Sequence, residues 1–188
     1  QVSGDKFNYE SLRLVPHPYS WDPSAGVCNL CVPINIVFDD IEIINSAYQS
    51  ALELGSRLNL NLLSKSINEL NEKASTTLKL KFQDLSDDSS YKITITSDDV
   101  EVVAGDESGF YYGLVSLMQL AQTYHQLIPC GSIFDTPRFS WRGQHLDTVR
   151  HFYSVDSLLK LLDLMSLFKL NKFHWHAVDD EAFRFKLD

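Results

Sequence analysis

Trp141-Arg142-Gly143-Gln144-His145-Leu146-Asp147-Thr148-Val149-Arg150-His151-Phe152 and Asn171-Lys172-Phe173-His174-Trp175-His176-Ala177-Val178-Asp179-Asp180 flank a leucine-rich run, and these stretches together decide the fold. Each reads as a strand that closes on charged residues. Between them Val155, Leu158, Leu159, Leu162 and Met165 recur at helical spacing, the stripe of an amphipathic helix. Ser154 is placed to cap that helix, with Asp156 in its first turn, and Lys169 and Asn171 mark its end. A short turn then leads into the second strand, as αβ connections usually do. The unit is strand–helix–strand with ionisable groups at both strand exits. Parallel α/β enzymes place substrate contacts in that layout.

Alternate residues of a strand share a face. Gln144, Leu146, Thr148 and Arg150 therefore lie together, as do Phe173, Trp175, Ala177 and Asp179, while His174, His176 and Val178 take the other face. Arg150 carries a planar fork suited to oxygen-rich ligands. The alternative for it is a structural ion pair with Asp147 or Asp180. Asp179 can accept hydrogen bonds, orient a histidine or cap the following loop. His174 and His176 have the spacing of two metal ligands on a strand, but no third ligand is evident. They read instead as satisfied core histidines on a face packed by helices. No nucleophile elbow, phosphate-binding glycine loop or helical HExxH is present.

Upstream, residues 1 to about 27 are polar and contain Pro16, Pro18 and Pro23. They read as a leading segment with one short strand near Leu12–Val15. Ile34, Ile36 and Phe38 mark a strand, followed by acidic residues and a helix over roughly Ile43–Leu58 with Ile44, Ala47, Ala51 and Leu54 on one side. A loop or weak turn follows. Leu78, Leu80 and Phe82 alternate with lysines, and Tyr91, Ile93 and Ile95 alternate with Lys92, Thr94 and Thr96. These are two half-exposed strands joined by the turn-rich Asp84–Ser90. A third strand covers Val100–Ala104.

A long helix from Glu107 to about Gln126 then presents Phe110, Leu114, Leu117, Met118 and Ala121 as its apolar stripe. Gly109 and Gly113 share a face, where they allow close packing on the sheet. Pro129, Cys130 and Gly131 end that segment, and the connector Ile133–Arg138 holds the domain boundary. The pattern is an α+β N-terminal domain over residues 1–136, a mostly antiparallel sheet with helices on one face, followed by the strand–helix–strand unit over 137–188.

The chain has 188 residues, 44% hydrophobic and 22% charged, a composition that excludes disorder and gives room for a real core. A net charge of −9, with no lysine–arginine cluster, argues against a nucleic-acid surface. No apolar run reaches the roughly 18 residues of a membrane span. The leading residues show no signal-peptide pattern, and a leader removed earlier stays open. Cys28 and Cys31 have CxxC spacing, but no second pair or matching histidines complete a zinc site. They lead into a strand rather than a helix, and so read as structural, either buried thiols or one local disulfide. Cys130 is the third cysteine, and no cofactor or metal is expected.

Pro137-Arg138-Phe139-Ser140-Trp141-Arg142-Gly143, Leu146-Asp147, Arg150-His151-Phe152, Leu170-Asn171-Lys172-Phe173-His174-Trp175-His176 and Asp179-Asp180-Glu181, in that order around the leucine-rich helix, closely resemble glycoside hydrolase family 20, the β-N-acetylhexosaminidases. Ala104-Gly105-Asp106, Gly109-Phe110-Tyr111-Tyr112-Gly113 and Leu117-Met118-Gln119-Leu120 also resemble the end of that family's N-terminal domain. The resemblance implies a (β/α)₈ TIM barrel whose first two strands are Trp141–Arg150 and Lys172–Asp179. It implies retaining hydrolysis of terminal β-linked N-acetylglucosamine or N-acetylgalactosamine by substrate-assisted catalysis, an exception to the two-carboxylate scheme. By position Arg150 is similar to the arginine that binds the sugar's outer hydroxyls. Asp179 is similar to the aspartate that supports a histidine, outside this chain, behind the acid glutamate. The implied partners are an N-acetylhexosamine-terminated glycan and the remainder of the barrel, and the implied setting is secreted, periplasmic or lysosome-like.

The sequence departs from the family at Glu181-Ala182-Phe183-Arg184, where Gln or Glu, Gly, Trp is frequent, and at Ala177, where many members have leucine or isoleucine. The family's adjacent Asp-Glu catalytic pair has no counterpart here. Two βα units cannot close a barrel. The chain is therefore expected to be a fragment or one piece of a processed polypeptide, inert by itself. The rival expectation is a non-catalytic sugar-binding or scaffold protein of the same fold.

Overall fold

The computed structural model describes residues 12–38, 42–64, 74–85 and 87–185. It divides into two compact units, Gln1–Pro137 and Arg138–Asp188.

The first unit is built on β1 (Ser20–Asn29), β2 (Ile34–Phe38), α1 (Glu42–Arg57), β3 (Leu62–Ser64), β4 (Thr76–Phe82), β5 (Tyr91–Ile95), β6 (Asp99–Ala104), α2 (Glu107–Thr123) and β7 (Leu127–Asp135). Its sheet runs β1-β7-β5-β6-β4-β2-β3. The expectation of a mostly antiparallel sheet needs correction. β2 runs parallel to β3 and β4, and β4 parallel to β6, while β5 is antiparallel to β6 and β7, and β1 to β7. Alternation along a strand reports burial on one side only. It carries no information about the direction of the neighbour. Direction follows from the connections: α1 and α2 are crossovers, which return the chain parallel to its start. β4 and β5 are also not partners, because β6 lies between them, with Val100 facing both Leu78 and Ile95.

α1 and α2 pack against each other on the sheet. Ala47, Ala51 and Leu54 of α1 are buried, as is the whole expected stripe of α2, Phe110, Leu114, Leu117, Met118 and Ala121. Ile44 has no described side chain. Asp106 caps α2, its carboxylate accepting from the Gly109 N–H at 2.6 Å, and its other oxygen accepts from Ser89 N at 2.6 Å. Among the strands, Ile34, Ile36, Leu80, Ile93, Ile95, Val100 and Val102 complete the core.

Two strands differ from the sequence reading. β7 runs straight through Pro129-Cys130-Gly131, which reads in the sequence as a terminator. Proline lacks an N–H for the ladder. Pro129 lies opposite Val27, where the β1·β7 register shifts, and β5 extends along β7 only as far as Gly131, so little pairing is lost. Gly131 has φ +153, and a β-carbon there would stand 2.3 Å from the Trp21 ring. β1 occupies the proline-containing leading segment. Leu12–Val15 is not a sheet strand, although Leu12 and Leu14 are buried. The side-chain amide of Gln119 on α2 serves there as a strand neighbour: Val15 N donates to Oε1 at 2.9 Å and Nε2 donates to Val15 O at 2.8 Å.

The second unit consists of β8 (Gly143–Asp147), α3 (Val155–Leu167) and β9 (Lys172–His176). β8 and β9 pair in parallel from Gly143↔Lys172 to Asp147↔His176. Both strands are shorter than the sequence reading at their C-terminal ends. Ser154 caps α3, its hydroxyl accepting from Ser157 N. Arg142 and Asn171 fasten the lower ends of the strands: Arg142 Nε donates to Lys169 O at 2.8 Å, and Asn171 N to Arg142 O at 2.8 Å. Of the expected α3 stripe only Met165 is buried, while Val155, Leu159 and Leu162 are exposed. Two strands about 5 Å apart cover one side of a helix about 10 Å across, so a stripe this wide overhangs them.

Candidate functional site

The upper rim of the second unit is formed by the loop after β8 and the loop after β9. Asp147 and His176 are the last residues paired across the ladder. Arg150 and Asp179 each lie three residues further on. The strand alternation expected to carry them onto one face stops before it reaches them, and each is held by the residue that ends its strand.

Asp147 grips the first loop with both oxygens. Oδ1 accepts from Val149 N at 2.9 Å and Arg150 N at 3.2 Å, and Oδ2 forms an ion pair with Arg150 Nε. Burial works against its charge. The two backbone donors, the Arg150 guanidinium and His176 outweigh that effect and hold the carboxyl below its ordinary value. Arg150 is the more exposed partner, at 67% against 20% for Asp147, so the pair presents a cation on the rim. Of the alternatives open in the sequence, the structure realises the Asp147–Arg150 ion pair. A ligand role for the fork remains compatible with it, because the ion pair runs through Nε.

His176 Nε2 lies 2.9 Å from Asp179 Oδ2, and Asp179 Oδ1 accepts from Glu181 N at 2.7 Å. The hydrogen bond with His176 is the largest influence on Asp179, followed by the Glu181 N–H, and together they lower its pKa. A lowered carboxyl favours the folded loop at all pH above the ordinary value of 3.8. That contribution is lost as pH falls through the lower folded value. The histidine that Asp179 meets here is thus His176, within this chain.

The rim therefore holds two i, i+3 pairs side by side, Asp147 with Arg150 and His176 with Asp179. The sequence singles out the outer member of each pair as a site residue, and offers Asp147 only as an ion-pair partner of Arg150 and His176 only as a metal ligand or core histidine. The repeated spacing at two consecutive strand ends was the signal available. His174 and His176 also need correction as core histidines. His174 is exposed, its ring 4.7 Å from that of His145 in an edge contact, and His176 is part-exposed. Among the described residues no group of three or more His, Cys, Asp or Glu is arranged to hold a metal ion.

The cysteines are all free thiols. Cys28 is buried, and desolvation pushes its pKa up to about 12, which leaves it protonated and unreactive. Cys130 is buried and shifted the same way. Cys31 is exposed, not buried, with Sγ 3.9 Å from His125 O.

A mixed sheet under two helices, followed by a parallel strand–helix–strand unit with an arginine and an aspartate just past its strand ends, defines an α/β chain with ionisable groups at the rim where parallel α/β enzymes place substrate contacts. Family models agree with that reading over almost the whole chain. Residues 11–136 match glycosyl hydrolase family 20, domain 2, and residues 139–188 match the catalytic domain of the same family. The chain belongs to glycosyl hydrolase family 20. It is 30% identical over 184 residues to a β-hexosaminidase of Vibrio vulnificus, covering 95% of this chain and 20% of that protein. It is 35% identical over 105 residues to an N,N'-diacetylchitobiase of Vibrio harveyi, covering 55% and 12%. Among solved structures, a family 20 exo-β-N-acetylglucosaminidase of Vibrio harveyi in complex with N-acetylglucosamine superposes with a TM-score of 0.74 at 31% identity, covering 90% of this chain and 26% of that one. The β-N-acetylhexosaminidase of Streptomyces coelicolor gives 0.75 at 26% identity, covering 91% and 36%. The matched part of the chain thus spans 12% to 36% of the length of these relatives.

Proposed function

We propose that this chain supplies domain 2 and the opening strands of the catalytic barrel of a retaining β-N-acetylhexosaminidase. The observation that carries the proposal is the rim. Two neighbouring parallel strands, in register at Asp147↔His176, present Arg150 and Asp179 at the end where barrel enzymes place their substrate contacts. Relatives named for β-hexosaminidase and chitobiase activity support the substrate class.

In this reading the substrate's acetamido oxygen attacks the anomeric carbon while a glutamic acid protonates the departing oxygen. The Asp-Glu pair that orients the acetamido group and donates the proton comes from outside this chain. Arg150 holds the outer hydroxyls of the terminal sugar with the fork that Asp147 steadies. Beyond its contact with His176, Asp179 supports a second histidine, from outside this chain, behind the acid, which keeps the glutamate protonated enough to act near neutral pH.

The test is hydrolysis of an aryl N-acetyl-β-glucosaminide by the complete polypeptide that carries this chain. Activity is expected there. Arg150→Ala is expected to lower kcat/KM by roughly 10- to 100-fold, the loss of charge-assisted hydrogen bonds to the sugar. Residues 1–188 alone are expected to be inert. Hydrolysis by the 188-residue chain at verified mass would overturn the assignment of the catalytic pair. Sugar binding without hydrolysis by the complete polypeptide would favour a non-catalytic lectin-like role.

A further inference from the structure

We propose that Arg184 is a positioning residue for Arg150, a proposal that rests on reading Arg150 as the sugar-binding arginine. Arg184 directly follows Glu181-Ala182-Phe183, where the sequence departs from the family's frequent pattern. Its backbone is fixed by the loop after β9: Val178 and Phe183 form an antiparallel bridge, Asp179 N donates to Ala182 O at 3.2 Å, and Arg184 N donates to Ala177 O at 3.1 Å. The loop is a small hairpin with Asp179 on its outgoing arm and Arg184 at its close.

From that anchor the side chain crosses to the neighbouring loop. Nε donates to Thr148 O at 2.8 Å and Nη2 donates to Val149 O at 2.7 Å. The guanidinium carbon also lies over the Phe152 ring, 5.6 Å from its centroid. Arg184 therefore holds the two peptide carbonyls immediately before Arg150 and the aromatic ring two residues after it. Asp147 holds the N–H groups of Val149 and Arg150 from the other side. Trp175 Nε1 and Thr148 N complete the attachment, the first donating to Thr148 Oγ1 at 2.9 Å and the second to His176 O at 3.0 Å.

Bonds from a charged donor are stronger than neutral ones, and two parallel donors fix orientation as well as distance. A lysine is a single point charge and cannot reproduce that fork. The same hairpin carries Asp179, so one side chain ties the loop bearing the acid-supporting aspartate to the loop bearing the sugar-binding arginine.

Kinetics on an aryl N-acetyl-β-glucosaminide with the complete polypeptide test this. Arg184→Ala and Arg184→Lys are each expected to raise KM roughly tenfold with kcat within about threefold, since an arginine that grips outer hydroxyls contributes binding shared by ground and transition states. In an Arg150→Ala background, Arg184→Ala is expected to change KM by less than about twofold, because residues acting through one another are not additive. Equal effects in both backgrounds, or full rescue by lysine, would sink the proposal. Should the unsubstituted polypeptide show no hydrolysis, the functional reading fails on its own. Amide hydrogen exchange over residues 149–152 then decides the positioning role: about tenfold faster exchange in Arg184→Ala supports it, and unchanged exchange refutes it.

Discussion

Tyr91 is 1% exposed, and its hydroxyl joins three elements. It donates to Asp135 Oδ2 at 2.8 Å at the end of β7 and lies 2.7 Å from Ser116 Oγ on α2. Because the phenol's proton goes to the carboxylate, the Ser116 hydroxyl must donate to the phenol oxygen. Burial, and then the charge of Asp135, raise the Tyr91 pKa well above 10.0. A raised pKa means that the folded chain keeps a proton that the unfolded chain gives up. The stabilisation is intact below 10.0 and is lost as pH rises above it. We expect stability to fall with a contribution from this residue of about 1.4 kcal/mol per pH unit in that range. Tyr91→Phe should cost about 1–2 kcal/mol at neutral pH and flatten the alkaline fall, both measurable by denaturant unfolding. An alkaline limb unchanged by the substitution would assign the loss to other groups. Nothing in the sequence pointed to this triad, because its members are 25 and 44 residues apart and meet only through the strand order. The rim pairs were half legible for the opposite reason. Arg150 and Asp179 follow recognisable strands, whereas nothing in the sequence joins His176 to Asp179 or sets Asp147 beside His176 until the register brings the two strand ends together.

At the scale of elements, the parts that the sequence disclosed are those with a strong period. The stripe of α2 and the alternation of β4 and β5 each report which face meets the core, and the core obeys them except at Phe82, which ends β4 exposed. β1 and β7 were hidden because proline and glycine interrupt their pattern, and the structure places those residues where the ladder already shifts register. Sheet direction was hidden as well, since one-sided burial looks the same in parallel and antiparallel neighbours. The close fit of α2 to the sheet, by contrast, was visible in the spacing of Gly109 and Gly113. A β-carbon at Gly109 would stand 2.4 Å from Ser90 O, a backbone atom just before β5, and 3.0 Å from Ala104 Cβ. At Gly113 it would meet Val102 Cγ1 at 2.8 Å, a longer approach and to a side-chain methyl rather than to backbone. Alanine gains about 1 kcal/mol over glycine inside a helix. At Gly109 the carbonyl cannot yield without moving the start of β5, at a cost of about 1–3 kcal/mol. Gly109→Ala should therefore lower the thermal midpoint, and Gly113→Ala should lower it less. A Gly109→Ala protein at least as stable as the original would show that α2 rides further from the sheet than described.

For the whole molecule, burial is divided very unevenly between the two units. In Gln1–Pro137 every strand from β1 to β7 except the short β3 sends buried apolar side chains into one core, together with both helices. In Arg138–Asp188 the buried apolar side chains among the described residues are Val149, Met165 and Ala177. Against them stand Phe139 at 73% exposure, Trp141 at 68%, Phe152 at 73% and Val155 at 69%. Hydrophobic burial is the main force that offsets the conformational entropy lost on folding. A two-stranded sheet with one helix is at the lower limit of what water tolerates even when its apolar face is covered. The hydrogen bonds of the rim do not compensate, because exposed bonds exchange readily with water and add little net stability. The two units should therefore behave differently when separated. Residues 12–137 alone are expected to unfold in one cooperative thermal transition. Residues 138–188 alone are expected to show no such transition and to bind a hydrophobic dye at low temperature. The same segment should gain protection from exchange when it belongs to the complete polypeptide, with the amides of Val149 and Arg150 among those slowed. A cooperative transition in isolated 138–188 would mean that the β8–α3–β9 unit carries enough stability of its own to hold Arg150 and Asp179 in place, and that the rim is preformed rather than completed by what surrounds it.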